Sequence, residues 1–180
     1  MSDAPANPGG NAPGAAKPGE EPRPLINVMS QYVKDFSFEN PNAPASLQLG
    51  SNQPEIKVNV EVNAEALKDG SFEVVLHISA RAETAGTLAF MSDLTYAGQF
   101  AVTNASREVL PAILLIECPR MLFPFARRVI ADATRDGGFP PLLLSPIDFM
   151  SLFRQQRAAQ QAAQPQQGDG GAPPPAPPSA

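Results

Sequence analysis

Between residues 55 and 81 the chain alternates between apolar and polar side chains with a period of two. In EIKVNVEVNA, Ile56, Val58, Val60 and Val62 fall on one side, and Glu55, Lys57, Asn59 and Glu61 on the other. That period, written in β-branched residues, marks a half-buried strand. LKDGSF then supplies a turn at Asp69-Gly70, and SFEVVLHISARAE resumes the alternation through Phe72, Val74, Leu76, Ile78 and Ala80. After a break at Gly86, TLAFMSDLTYAGQFAV places Leu88, Phe90, Ser92 and Leu94 on one face. Upstream, NVMSQYVKDFSFEN sets Tyr32, Phe36 and Phe38 against Val33, Asp35 and Glu39. The expectation is four antiparallel strands in a meander, with short turns except after the first.

The second half changes period. In MLFPFARRVIADATRDGG, Leu122, Ala126, Val129, Ile130 and Ala133 follow helical spacing, and Gly137-Gly138 ends the helix. REVLPAILLIE is apolar nearly all round, which calls for burial on more than one side; a second subunit is the expected source of the extra surface. Pro111 requires this helix to begin near Leu110 or to kink, and Pro124 raises the same question for the next. GFPPLLLSP, punctuated by prolines, reads as extended and partly exposed. SPIDFMSLFRQQR reads as a last helix, capped by Ser145 with Pro146 at its first position. Strands followed by helices make this an α+β chain.

Residues 1–24 and 158–180 are Pro, Gly, Ala, Asn and Gln with almost nothing large and apolar. They are expected to be disordered tails, because they bury too little surface to offset the entropy of ordering. Residues 25–157 then form one domain. No basic stretch followed by an apolar one opens the chain, so no signal peptide is expected. No apolar run approaches the roughly 18 residues of a membrane span, and direct membrane insertion is not expected. A single cysteine cannot form an internal disulfide, which suits a cytoplasmic protein.

Charge is uneven along the chain. From Leu25 to Phe100, nine carboxylates (among them Asp35, Glu39, Glu73 and Asp93) face four cations, Lys34, Lys57, Lys68 and Arg81. Nucleic acid requires a basic stripe, so it is not an expected partner. A basic protein fits this half better, and simple solubility is the plain alternative.

Enzyme signatures are weak. Cys118 stands in CPRMLFPFARR, next to a helix-initiating proline and near arginines, a setting that can lower a thiol pKa. The partners are missing. A Cys-x5-Arg loop would need arginine where Pro124 stands, and His77, the only histidine, lies on a strand. One cysteine and one histidine do not make a zinc site. No phosphate-binding glycine loop or nucleophile elbow occurs. The reading is no enzyme, no cofactor and no metal, with Cys118 as a small buried hydrophobe; a thiol enzyme built on Cys118 is the rival. Phe139, Leu142, Leu143, Leu144, Phe149, Met150 and Phe153 remain, on the proline-stiffened segment and the helix after it. They make either a binding groove for extended chains or ordinary packing onto the sheet.

Two blocks resemble a known family. YVKDFSFENPNAP (32–44) is similar to the first-strand signature of the SecB protein-export chaperones, and CPRMLFPFARRVIADATRDGGFPPLLLSPIDFMSLF (118–153) to their second. FEVVLHISARAE fits their third strand, so the resemblance covers residues 25–157. It implies a four-stranded antiparallel sheet backed by C-terminal helices, assembled as a homotetramer, a dimer of dimers. It implies an ATP-independent cytoplasmic holdase that binds non-native preproteins and delivers them to the translocation ATPase SecA. The positions matching the SecA-binding set are Asp35, Glu39, Met91 and Asp93. Phe139, Leu142, Leu144, Phe149 and Phe153 are the expected groove for unfolded polypeptide, with Phe36 and Phe38 as further candidates that the sheet's inward face also needs. A family member serving a dedicated client, such as a toxin–antitoxin pair, is the alternative. The C-terminal tail carries one acid, Asp169, where family tails are often acidic.

Overall fold

The computed structural model describes residues 23–48 and 54–163. The expected tails lie mostly outside them, at 1–22 and 164–180. Four strands form one antiparallel sheet: β1 (Leu25–Glu39), β2 (Glu55–Ala66), β3 (Phe72–Thr84) and β4 (Thr87–Thr103). Their order across the sheet is β1-β4-β3-β2. The meander is therefore correct only for β2 to β4. β1 pairs with β4 instead of β2, because the connection after Glu39 is long enough to carry the chain to the far edge of the sheet. The two hairpins are local: Gly70 takes φ 82° after Asp69, and Ala85-Gly86 both take positive φ between Thr84 and Thr87.

The alternation read in β3 holds without a slip. Val74, Leu76, Ile78, Ala80 and Ala82 are buried on the side of the sheet that faces the helices, while Glu73, Val75, His77, Ser79 and Arg81 face the other way. β1 does not keep a strict alternation. Its register shifts between Val28 and Ser30 and again between Val33 and Asp35. The second shift leaves Lys34 unpaired and inverts the strand's facing. Tyr32 therefore shares the outer face with Asp35 and Glu39, whereas Val33 joins Phe36 and Phe38 on the helix side. This corrects the simple alternation expected for 32–39.

Behind the sheet runs one continuous helical stretch: α1 (Leu110–Ala112), a π turn (Ile113–Glu117) and α2 (Cys118–Asp136). It begins at Leu110 with Pro111 in its first turn, where a missing N–H leaves no bond unmade. Pro119, also without an N–H, follows directly on the π turn. Pro124 stays inside α2. Ile113, Leu114, Ile116, Leu122, Ala126 and Ile130 are buried with Leu76, Ile78, Leu94 and Phe100 in the main core. Each fully buried apolar side chain of this size contributes roughly 1.5–3 kcal/mol. The all-round apolar character of 107–117 is thus absorbed in large part within the chain, by the sheet and the neighbouring helices.

α2 ends in a glycine stop. Gly138 has φ 88°, its N–H donates to the Arg135 carbonyl, and the Phe139 N–H donates to that of Thr134. Residues 139–148 have no regular secondary structure, and Thr134 anchors them: its hydroxyl oxygen accepts the Leu142 N–H at 2.9 Å. The last helix, α3 (Phe149–Ala163), starts later than expected. Its cap is Asp148 rather than Ser145, because the Asp148 carboxylate accepts both the Ser151 N–H and the Ser151 hydroxyl. α3 also continues past Arg157, where the domain was expected to end; Ala and Gln at 158–163 are good helix formers.

Candidate functional site

Register aligns three neighbouring rungs on the outer face of the sheet. Reading across β1, β4, β3 and β2, one rung is Glu39, Met91, Arg81 and Lys57; the next is Ser37, Asp93, Ser79 and Asn59; the third is Asp35, Thr95, His77 and Glu61. Asp35, Glu39, Met91 and Asp93, distant in sequence, are therefore neighbours on one surface. The middle rung carries only short side chains, and a trough of about 370 Å³ forms there, lined by Ser37, Asn59, Ser79, Met91 and Asp93 with Lys57 and Arg81 along one wall.

The nearby cations do not neutralise these acids. Lys34, at the bulge, reaches across small Ala97 to Glu73 on β3, at 2.6 Å. Tyr32 donates its hydroxyl to the same carboxylate. Hydrogen bonds from Lys34 and then Tyr32 hold the Glu73 carboxyl below the usual range, and bonding to Glu73 pushes the Tyr32 phenol up to about 12. Arg81 is held by Glu83 at 2.7 Å, which lowers the Glu83 carboxyl, and Lys57 lies 3.4 Å from Glu55. Asp35 and Glu39 are exposed. Among the described residues Asp93 has one partner, His77, whose Nε2 is 2.8 Å from Oδ1. The result is a negative surface around an apolar residue, Met91, suited to a basic partner.

On the opposite face the helices cover only part of the sheet. Beyond their reach lies a second apolar cluster: Ala82, Ala89 and Phe90, with Phe38, Phe139 and Leu142 packed against them. Phe90 stacks with Phe38 at 5.7 Å and tilts against Phe139 at 4.9 Å. Gly137 is needed here, since a β-carbon at that position would collide with the Phe38 ring. Ile56 and Val58, also facing this side, are exposed, as is Leu47 near the helix stop.

The five residues expected to line a groove do not form one surface. Phe139 belongs to the open cluster, and Leu142 packs against both that cluster and the main core. Leu144 and Phe149 are core: Phe149 is 1% exposed and meets Phe123 edge-on at 6.1 Å. Phe153 lies at the margin of the main core under the Arg157 guanidinium, 5.7 Å away. The sequence pattern did not single out Phe90, which alternation placed on one strand face with Leu88, Ser92 and Leu94. It also passed over the Asp93–His77 pair and the trough. Cys118 is fully buried, and burial followed by the Glu117 charge pushes its thiol up to about 12. A thiolate is strongly disfavoured there, against the rival reading of a reactive cysteine.

Residues 19–160 match the family described as preprotein translocase subunit SecB. The chain is 52% identical over 138 residues to the protein-export protein SecB of Bradyrhizobium diazoefficiens, covering 77% of this chain and 86% of that one. It is 50% identical over 156 residues to the protein of that name from Parvibaculum lavamentivorans, covering 87% and 92%. Among solved structures, a Mycobacterium tuberculosis SecB-like chaperone in complex with an antitoxin peptide shares the fold. Its TM-score is 0.56 at 18% identity, over 68% of this chain and 91% of that one.

Proposed function

This chain belongs to the SecB family of protein-export chaperones, and from that premise we propose that it is an ATP-independent cytoplasmic holdase that keeps preproteins unfolded and hands them to the translocation ATPase SecA. The observation carrying the SecA reading is the convergence of Asp35, Glu39, Met91 and Asp93 on one face whose neighbouring cations are already engaged. A basic docking segment of SecA meets uncompensated carboxylates there, with Met91 as its apolar contact. Such a surface sets encounter rate and partner choice, and weakens with salt.

Client binding belongs to the opposite side. Phe38, Phe139 and Leu142, seated on Phe90, offer an apolar floor at the end of the sheet that the helices leave uncovered. A non-native chain exposes several apolar segments; a folded one exposes few. Weak capture of each segment becomes tight when several grooves act on one chain, so the holdase works as an assembly. We propose the dimer of dimers for it. β1 is a long edge strand with one side unpaired, and Val28, Val33, Met121 and Phe125 are exposed.

The reading includes no catalytic step and no membrane span. No described helix is long and apolar enough to cross a membrane. The antitoxin peptide on the mycobacterial protein motivates a second reading, a dedicated client, but at 18% identity that likeness speaks for the fold, while relatives near half identity are export proteins. The direct test is refolding of a slow-folding preprotein without nucleotide. A stoichiometric amount of this protein should delay folding, and SecA should bind the complex. Refolding at the unassisted rate would overturn the holdase reading.

A further inference from the structure

Helix packing leaves a groove uncovered at the start of the long helical stretch. Its volume is about 580 Å³, and it is lined by Leu110, Leu114 and Leu115, by Val62 on the edge strand β2, and by Gln156 and Ala159 of α3. Leu110 and Leu115 are only half-buried there. The Gln156 amide donates to the Val62 carbonyl at 3.2 Å, which ties α3 to β2 and holds the sides of the groove apart at a fixed distance. Besides Gln156, only Asn63 and Arg107 bring polar side chains to a lining that is otherwise apolar. Arg107 is exposed, and its guanidinium has no hydrogen-bond or ion-pair partner among the described residues.

The chain itself supplies a segment of matching chemistry. α3 ends at Ala163, one turn past Ala159, so the backbone leaves the helix beside the groove. Residues 164–180, QPQQGDGGAPPPAPPSA, follow directly and lie outside the described residues. Within them, 172–178 read APPPAPP. Pro173, Pro174, Pro175, Pro177 and Pro178 have no N–H, so this segment brings few backbone donors to an apolar lining that could not accept them. Proline also fixes φ, so a segment of this composition loses little entropy on docking as a polyproline II helix. Residues 164–171 reach up to about 27 Å when extended, enough to turn back along the groove, and Gly168, Gly170 and Gly171 permit the turn. Asp169, the one acid of the tail, precedes the prolines and complements Arg107.

We propose that residues 172–178 of the chain's own tail dock in this groove as a polyproline II segment, with Asp169 paired to Arg107. The docked tail covers apolar surface that helix packing leaves open and shields it from non-specific contact. The contact is weak for a free peptide and populated in the intact chain, because a short tether holds the segment at an effective concentration of about a millimolar or more. It does not rest on the docking role of the outer face.

The test compares methyl NMR spectra of the full chain, of a chain ending at Ala163, and of that shortened chain with a synthetic 164–180 peptide added. The deletion removes no described residue. Methyl signals of Val62, Leu110, Leu114 and Leu115 should shift on deletion and return when the peptide is added at about 1 mM, the effective concentration a short tether provides. In the shortened chain, Arg107→Glu should raise the apparent Kd of the peptide roughly twofold to threefold, the scale of an exposed ion pair. A peptide carrying Asp169→Lys should recover that loss. Unchanged methyl signals, both on deletion and on peptide addition, would overturn the proposal. So would equal restoration by a peptide in which the prolines of 172–178 are replaced by serine. Shifts that follow dilution of the protein instead of loss of the tail would also overturn it, and would assign the groove to a second copy of the chain.

Discussion

Phe38 and Glu39 are adjacent in the chain and belong to different surfaces. Glu39 faces the acidic outer side, opposite Met91; Phe38 faces the helices and stacks on Phe90. The same division runs through β4, where Met91 and Asp93 point outward and Phe90 and Ser92 inward. We propose that this short piece of sheet serves two recognition surfaces, which share a backbone and no side chain. The outer surface works through charge left over after local pairing, which salt screens. The inner one works through apolar area left over after helix packing, which salt does not screen. Strand alternation makes the two separable by mutation, and a bulge at Lys34 keeps Tyr32 and Lys34 on the charged side, where they brace Glu73.

The largest predicted effect concerns the limit of the inner surface. Phe149 is fully buried, so Phe149→Ala should cost about 3 to 5 kcal/mol of stability in denaturant unfolding. Full stability with weakened client binding would return Phe149 to the groove and redraw the boundary between core and surface. Phe139, only partly buried on Phe90, should behave differently. In Phe139→Ala, retention of an unfolded client should weaken roughly threefold to tenfold with SecA affinity unchanged. Loss of SecA binding in that variant would mean that the two faces are coupled.

The smallest effect lies in the brace. The folded Glu73 carboxyl is depressed, so its contribution is fully present above the unfolded carboxyl's ordinary range and is lost as pH falls through the lower folded value. Glu73→Gln should therefore be about 1 kcal/mol less stable than wild type near pH 7, given that Lys34 is half exposed, and the two should converge in strong acid. A gap that persists in acid would assign the effect to side-chain shape rather than charge.

Much of this architecture was readable before any coordinates. β3 and its hairpin with β2 follow from uninterrupted alternation and an Asp-Gly turn, both local signals. The position of β1 was not readable, since pairing with β4 is a long-range choice and the bulges at Met29 and Lys34 leave no mark in the hydrophobic pattern. The acidic set came from motif resemblance, and register adds what spacing could not, namely that Asp35, Glu39, Met91 and Asp93 lie on one face. The groove was harder. Phe139 and Phe149 look alike in sequence, and only the extent of helix cover separates the half-buried ring from the core one. Ser145, followed by Pro146, read as the cap, and two hydrogen bonds from Ser151 place the cap at Asp148 instead. His77 was set aside because it lies on a strand, with no cleft in view; its partner, Asp93, comes from the adjacent strand.

Independence of the two surfaces is tested most directly by reversing charge on one and assaying both. Asp35→Lys combined with Asp93→Lys should leave the delay of preprotein refolding at its wild-type value while SecA binding is lost. A variant that no longer holds its client yet still binds SecA would contradict the account, because the surfaces would then be exchanged.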